Sequence, residues 1–246
     1  MAFLDQTAEM AGYAKLAYQE KAKIDGSLAG RPHRFFDQNG TQAFCVIEDR
    51  VATVAFRGTE GDESSDWITD FTISKIRHQR GKVHAGFYSA TMMIAGEIMG
   101  WAIREGVDKW NVTGHSLGAA LATLFAEHLG TDRVLGVYLF GAPRVGTGAF
   151  VRWYNEHLGD RTVRIVNNND VVAHAPPLFF GYRHVGNTLW HFDEQGKMHD
   201  SRSWWGYVWF VMEWRAKGLF RLGSDGVKDH RMGTYQRLVE QHLAGE

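Results

Sequence analysis

The sequence predicts an α/β protein in which a mostly parallel central sheet is covered by helices on both faces. Three observations lead there. Short runs rich in β-forming residues alternate with helical segments along the chain. One such run passes into a helix through the G-x-S-x-G turn Gly114-His115-Ser116-Leu117-Gly118. At 246 residues, with no internal repeat, low-complexity tract or linker, the chain is expected to form one domain over residues 1–246 around a sizeable core.

Taken in order, residues 3–23 have an imperfect helical stripe of Phe3, Leu4, Ala8, Ala11, Leu16 and Ala17. Phe44–Glu48 and Val51–Phe56 are short strands separated by Asp49-Arg50, which predicts a hairpin. Phe87–Glu105 reads as a long helix, Trp110–Thr113 as a strand, and Leu117–Leu129 as an Ala-rich helix. A strand over Val134–Phe140, a helix over about 147–157 and a strand over Thr162–Val166 follow. The remainder reads as loop-rich until a last helix over about 232–243.

Composition narrows the function. Apolar residues make up 44% and charged residues 22%, ordinary proportions for a globular protein. With 27 basic and 28 acidic side chains and no long basic block, nucleic acid is not an expected partner. The single cysteine, Cys45, sits in the apolar run 43–47 and is expected to be a buried thiol. No run approaches the roughly 20 apolar residues of a membrane-spanning helix. The N-terminus lacks a positive region followed by an apolar core, which favours a cytoplasmic location, although a mature secreted chain looks the same.

The serine turn carries the chemistry. Between strand and helix, Ser116 is expected in a strained conformation with Gly114 and Gly118 keeping the crossing free of Cβ clashes. The helix N-terminus directs free N–H groups toward an oxyanion forming there, so ester hydrolysis is the expected reaction. A serine nucleophile needs a base and an acid that orients it. Reacting groups lie beyond the carboxyl ends of the strands, which selects Asp170, after the strand at 162–166, over Asp160, which precedes it. For the base, His174, His184, His191, His199, His230 and His242 all follow Asp170. His174 is too near in sequence to fold back, and His230 stands just before the last helix, where a base can be presented from a loop. For the oxyanion, the Leu117 N–H is one donor. Arg57-Gly58-Thr59 leaves a neighbouring strand and can supply the Thr59 N–H, with the hydroxyl as a further donor.

The chain resembles the class 3 lipases, fungal triacylglycerol lipases and their bacterial relatives. The resemblance rests on Ala55–Thr59, Trp67–Phe71, Val83–Phe87, Thr113–Ala122, Phe140–Gly146, Val166–Asp170 and Asp229–Tyr235, which stand in the family's order and span most of the chain. It implies the α/β-hydrolase fold, Ser116, Asp170 and His230 as catalytic triad, and Thr59 and Leu117 amides as oxyanion donors. It implies a lipid or ester substrate, a lipid–water interface as partner, and no metal or cofactor. The Asp loop departs from the family at Ala173-His174, where relatives often continue with proline. The segment 204–214 is unusually aromatic for the family.

The expected function is therefore a lipase acting on acylglycerols. Alternatives are a small-ester or feruloyl-type esterase, or a phospholipase, with the same triad. From a different class comes a lipid-surface binding protein with a vestigial triad. Residues 60–74 are expected to form a lid, with Trp67, Ile68 and Phe71 on one apolar face. Residues 204–214 are a second lid candidate, with Trp205 and Trp209 at the mouth of the acyl pocket.

Overall fold

The computed structural model describes residues 2–59, 74–200 and 224–245. In chain order the elements are α1 (Ala2–Leu16), α2 (Lys21–Ser27), β1 (His33–Gln38), β2 (Thr41–Glu48), β3 (Val51–Phe56), β4 (Lys75–His78) and β5 (Gly81–His84). They continue with α3 (Ala85–Arg104), β6 (Lys109–His115), α4 (Leu117–Leu129), β7 (Val134–Phe140), β8 (Gly146–Thr147), α5 (Gly148–Leu158) and β9 (Thr162–Asn167). Last come β10 (Tyr182–Arg183), β11 (Thr188–Phe192), β12 (Met198–Asp200), α6 (Ser224–Asp229) and α7 (Met232–Ala244).

The main sheet has eight strands in the order β1-β2-β3-β6-β7-β9-β11-β12. Its centre is parallel, from β3 through β6, β7 and β9 to β11, and both edges are antiparallel hairpins. The predicted hairpin of β2 and β3 turns at Asp49-Arg50, both with positive φ (47° and 64°), the geometry of a two-residue turn matched to strand twist. A small antiparallel sheet, β10-β8-β5-β4, lies apart from the main one.

Strand alternation sorts the core onto two faces. Val137 and Leu139 of β7 join Val54 and Val112 against Ile94 of α3, Leu121 and Phe125 of α4 and Phe150 of α5. Tyr138 and Phe140 of the same strand join Val46 and Ile165 against Met10 and Ala14 of α1 and Tyr235 and Leu238 of α7. Helices thus cover both faces of a mostly parallel sheet, as the sequence predicts. Cys45 is buried in the first of these clusters.

Three expectations need correction. The helix expected over 3–23 is two helices, because residues 17–20 form a turn that sends Tyr18 toward the sheet. The region after residue 166 holds β10, β11 and β12 rather than loop alone, and β1 adds a strand ahead of the predicted hairpin. Among the described residues no helix is long and apolar enough to cross a membrane. The lid candidates, 60–74 and 204–214, fall outside the described residues except Ser74, as do Trp67, Ile68, Phe71, Trp205 and Trp209.

Candidate active site

Ser116 occupies the turn between β6 and α4 with φ 58° and ψ −128°, outside the regions that L-residues ordinarily adopt. Such a conformation costs on the order of 1–3 kcal/mol and persists only where its surroundings hold it. They do so here. The Ser116 N–H donates to the Phe140 carbonyl at 3.0 Å, and the Ser116 carbonyl accepts from Ala119 and Ala120 at 3.0 and 3.3 Å. A Cβ on Gly114 would run into the backbone of Gly118, and one on Gly118 into the Phe56 carbonyl, so strand and helix cross only because both are glycine. The serine side chain makes no cap bond to its own helix, and its Oγ is buried without a hydrogen-bond partner among the described residues.

Asp170 follows β9 in a loop and is fully buried. One oxygen, Oδ1, accepts from the Val172 N–H at 2.8 Å. The other, Oδ2, lies 2.8 Å from His230 Nδ1 and also accepts from the Tyr235 hydroxyl. Burial pushes the Asp170 pKa up, but the His230 charge, its hydrogen bond, the Tyr235 hydroxyl and His115 outweigh it, so the net shift is downward. The carboxylate stays ionised, as an acid that orients a histidine must. Tyr235 is raised well above the usual phenol range, by burial first and then by Asp170, so it remains a donor.

His230 lies between α6 and α7, where Asp229 anchors it. The Asp229 carbonyl accepts from Asn167 Nδ2 at 2.8 Å and its Oδ2 from Asn168 Nδ2 at 3.0 Å. The segment that carries His230 is thereby fastened to the loop that carries Asp170. His230 Nε2, the atom a serine would use, is buried and has no hydrogen-bond partner among the described residues.

The other histidines are engaged elsewhere. His184 Nε2 bonds the Ala173 carbonyl at 2.7 Å, His191 Nε2 the Asn168 carbonyl at 3.2 Å, and His199 pairs with Asp193 at an exposed edge. His174 lies in a short 3₁₀ turn, with burial, and Arg144 after it, lowering its pKa to about 4. Asp160 bonds Asn187 on the surface.

For the oxyanion donors, Leu117 is the first residue of α4, whose leading N–H groups have no intrahelical acceptor. Arg57-Gly58-Thr59 crosses directly over the elbow: a Cβ on Gly58 would stand 3.2 Å from Ser116 Cβ. Among the described residues no group of three or more His, Cys, Asp or Glu is disposed to hold a metal ion.

Residues 53–180, just over half of the chain, match the family model described as lipase (class 3). The chain belongs to the class 3 lipase family. It is 33% identical over 182 residues to the secreted mono- and diacylglycerol lipase 1 of Fusarium solani, covering 70% of this chain and 52% of that one. It is 32% identical over 156 residues to the lipase of Rhizomucor miehei, covering 58% and 42%. The crystal structure of a lipase from Rhizopus microsporus var. chinensis superposes with a TM-score of 0.66 at 27% identity, over 78% of this chain and 75% of that one. The chain spans about half the length of the relatives it matches in sequence. Tyr18 and His230 both lie outside the matched residues 53–180.

Three groups at the site escaped the sequence reading: Tyr235, His115 and Arg144. Each stands inside a block that carries the resemblance, and for His115 and Tyr235 the signal was a position near a triad candidate in the same block. Arg144 donates from its N–H to the Ala175 carbonyl at 2.7 Å and from Nη1 to the Pro176 carbonyl at 2.8 Å, stapling the chain that follows Asp170.

Proposed function

We propose that the chain is a serine carboxylic ester hydrolase acting on acylglycerols, with Ser116 as nucleophile, His230 as base and Asp170 as orienting acid. One observation carries this reading. Ser116 Oγ and His230 Nε2 are both buried without hydrogen-bond partners among the described residues, at the one place where a serine with strained backbone lies beside a buried histidine–aspartate pair whose carboxylate is held by the Val172 N–H and the Tyr235 hydroxyl. Leaving such groups unsatisfied costs on the order of 1–3 kcal/mol each, which argues for a reacting substrate as their partner.

In the proposed reaction Ser116 Oγ bonds to the ester carbonyl carbon as its proton passes to His230 Nε2. The carbonyl π pair moves onto oxygen, held by the Thr59 and Leu117 N–H groups. Collapse of that oxyanion breaks the bond to the alkoxy oxygen, which takes the proton from Nε2 and leaves as alcohol. Water then attacks the acyl-serine in the same way and releases the carboxylic acid. Asp170, ionised throughout, keeps the Nδ1–H tautomer and stabilises the imidazolium.

The acylglycerol preference is supported by the name of the Fusarium relative, a mono- and diacylglycerol lipase, and the Rhizomucor relative is named a lipase. Because the Fusarium relative is named as secreted, the cytoplasmic location expected from the N-terminus finds no support, and a secreted mature form is the reading we favour. Substrate contacts from Trp67, Ile68, Phe71, Trp205 and Trp209 belong to the proposal on sequence grounds alone.

The test is a hydrolysis profile from soluble p-nitrophenyl esters to emulsified long-chain triglycerides and glycerophospholipids, with wild type and Ser116→Ala. Acylglycerol turnover lost in Ser116→Ala is the expected result. Activity confined to soluble esters would make the chain an esterase, and activity confined to glycerophospholipids a phospholipase. Binding to emulsions with no hydrolysis would make it a lipid-surface binding protein.

A further inference from the structure

His115 ends β6 and precedes the proposed nucleophile. Its side chain follows Thr113 onto the α1 and α7 face of the sheet, where it is buried. Its Nε2 lies 2.6 Å from the main-chain carbonyl oxygen of His230, a residue 115 positions away. Its ring stacks on the His230 ring, with centroids 4.5 Å apart and planes 30° apart. Its Nδ1 lies 2.7 Å from the Tyr18 hydroxyl. We infer that His115 is a positioning residue for His230, an Nε2–H imidazole that sets the height and tilt of the base and is locked in that tautomer by Tyr18; the inference rests on the triad reading above.

Hydrogen-bond chemistry fixes the tautomer. A carbonyl oxygen only accepts, so His115 Nε2 must carry the hydrogen. In an uncharged ring Nδ1 is then bare, and the Tyr18 O–H donates to it. The groups facing this ring are His230 and Asp170 from the site loops, Tyr235 from α7 at 5.6 Å, and Tyr18 from the link between α1 and α2. Burial, and the neighbouring His230 after it, hold His115 well below the ordinary histidine pKa. That protects the reaction, because a second cation stacked on His230 would oppose the imidazolium formed as Ser116 gives up its proton.

The same pair reaches the oxyanion loop. A Cβ on Gly58 would run into the Tyr18 hydroxyl, so Arg57-Gly58-Thr59 packs on the phenol that orients His115. One phenol–imidazole unit therefore touches three chain segments that must stay in register: the strand carrying Ser116, the carbonyl of His230 and the loop carrying Thr59. Tyr18 comes from the turn that breaks the predicted N-terminal helix, which gives that break a purpose.

The test uses His115→Phe, which keeps a stacked ring and loses both nitrogens, and Tyr18→Phe, which removes one oxygen. Active sites are titrated with a serine-reactive phosphonate, so that kcat refers to folded enzyme. For His115→Phe on a soluble ester, kcat is expected to fall about 10²-fold with KM changed less than about 2-fold, the scale of a misplacement of ~1 Å. Tyr18→Phe is expected to lower kcat about tenfold and to add a second ionisation to the acid limb of kcat/KM, since Nδ1 is released to take a proton. In the wild type, ¹⁵N shifts should report a protonated Nε2 and a bare Nδ1 on His115 at neutral pH. Wild-type kcat and pH profile in His115→Phe, with Ser116→Ala inactive, would overturn the positioning role alone. Activity surviving in Ser116→Ala would overturn the triad reading beneath it. If His115→Phe does not fold, Tyr18→Phe decides: an unchanged acid limb overturns the proposal.

Discussion

Helix α4 has a buried histidine–carboxylate pair at each end, and the two pairs behave in opposite ways. At its N-terminus His230 Nδ1 and Asp170 Oδ2 stand 2.8 Å apart, with Tyr235 and the Val172 N–H completing the carboxylate's partners. At its C-terminus His78 Nε2 lies 3.4 Å from Glu127 Oε2, and Arg80 Nε lies 3.7 Å from Glu127 Oε1. Burial drives Glu127 upward with only Arg80 opposing it, and drives His78 downward with Arg80 and His128 adding to it. The negative end of the helix dipole is a poor place for a carboxylate. Both members of the far pair are thus pushed toward neutrality, whereas Asp170 is held ionised. An open cavity of about 940 Å³ adjoins the far pair, lined by Arg77, Arg80, Arg133 and Trp153 among others, yet it has no strained serine or orphaned imidazole nitrogen. Burial and proximity make a histidine–carboxylate pair. Directed donors and an unengaged Nε2 make one fit for catalysis.

Removing the proposed nucleophile should separate the two ends most sharply. Ser116→Ala should reduce hydrolysis to the residual about 10³–10⁴ over water that a triad mutant retains, with folding unaffected. Glu127→Gln, on the same helix, should leave kcat within about 2-fold, since nothing at that end orients a base. A phosphonate should add one label, at Ser116. Equal loss of turnover in both variants would erase the distinction.

Asp170→Asn comes next. The amide cannot serve Nδ1–H, the Val172 N–H and the Tyr235 hydroxyl as the carboxylate does, and a wrong histidine tautomer is favoured. A fall in kcat of about 10⁴ is expected. In the wild type, Asp170 is lowered in the folded state, so its contribution to stability is complete above the unfolded pKa of about 3.9 and is lost as pH falls through the folded value. Asp170→Asn should therefore flatten that part of the acid unfolding curve. A curve unchanged in Asp170→Asn would contradict the ionised carboxylate.

Tyr235→Phe is a milder probe of the same pair. It deletes one donor to Asp170 and the acceptor of the Asn167 N–H at 3.1 Å, and leaves the ring in the core with Phe140 and His115. Loss of a buried hydrogen bond to a charge is worth about 1.5–3 kcal/mol, to be read in chemical denaturation. Turnover should fall by about tenfold, with the acid limb of the pH profile displaced. A stability loss without any change in the pH profile would reduce Tyr235 to packing.

Much of this was legible in the sequence, and the exceptions have physical causes. The α4 helix and the β7 strand fall where periodicity puts them because their burial is local and regular: every second β7 residue faces one helical layer. The elbow was legible because only glycine survives at positions 114 and 118. Strand direction alone separates Asp170, which lies against His230, from Asp160, which bonds Asn187 on the surface. Strand β1 is hard to read although Asn39-Gly40 signals a two-residue hairpin turn, because His33–Gln38 is polar at most positions and has one buried residue, Phe36. Strands β11 and β12 hide in a stretch where histidines and aromatic residues obscure alternation. The roles of His115, Tyr18 and Tyr235 are contacts between distant segments, and no spacing encodes them.

The smallest expected effect lies at the far pair and concerns stability alone. Glu127 has a raised folded-state pKa, so it stabilises the fold when protonated, below the unfolded value of about 4.5, and that contribution is lost as pH rises through the folded value. At neutral pH the buried carboxylate is a cost, offset in part by Arg80 at 3.7 Å. Glu127→Gln keeps the shape and removes the charge, so it should raise stability at neutral pH by about 1 kcal/mol or less and narrow the gap between mildly acidic and neutral conditions. Denaturant midpoints measured from pH 4 to pH 8 for both proteins would read this directly. If Glu127→Gln instead destabilised the fold more at neutral than at acid pH, the carboxylate would be a net stabilising partner of His78 and Arg80, and the two ends of α4 would be alike after all.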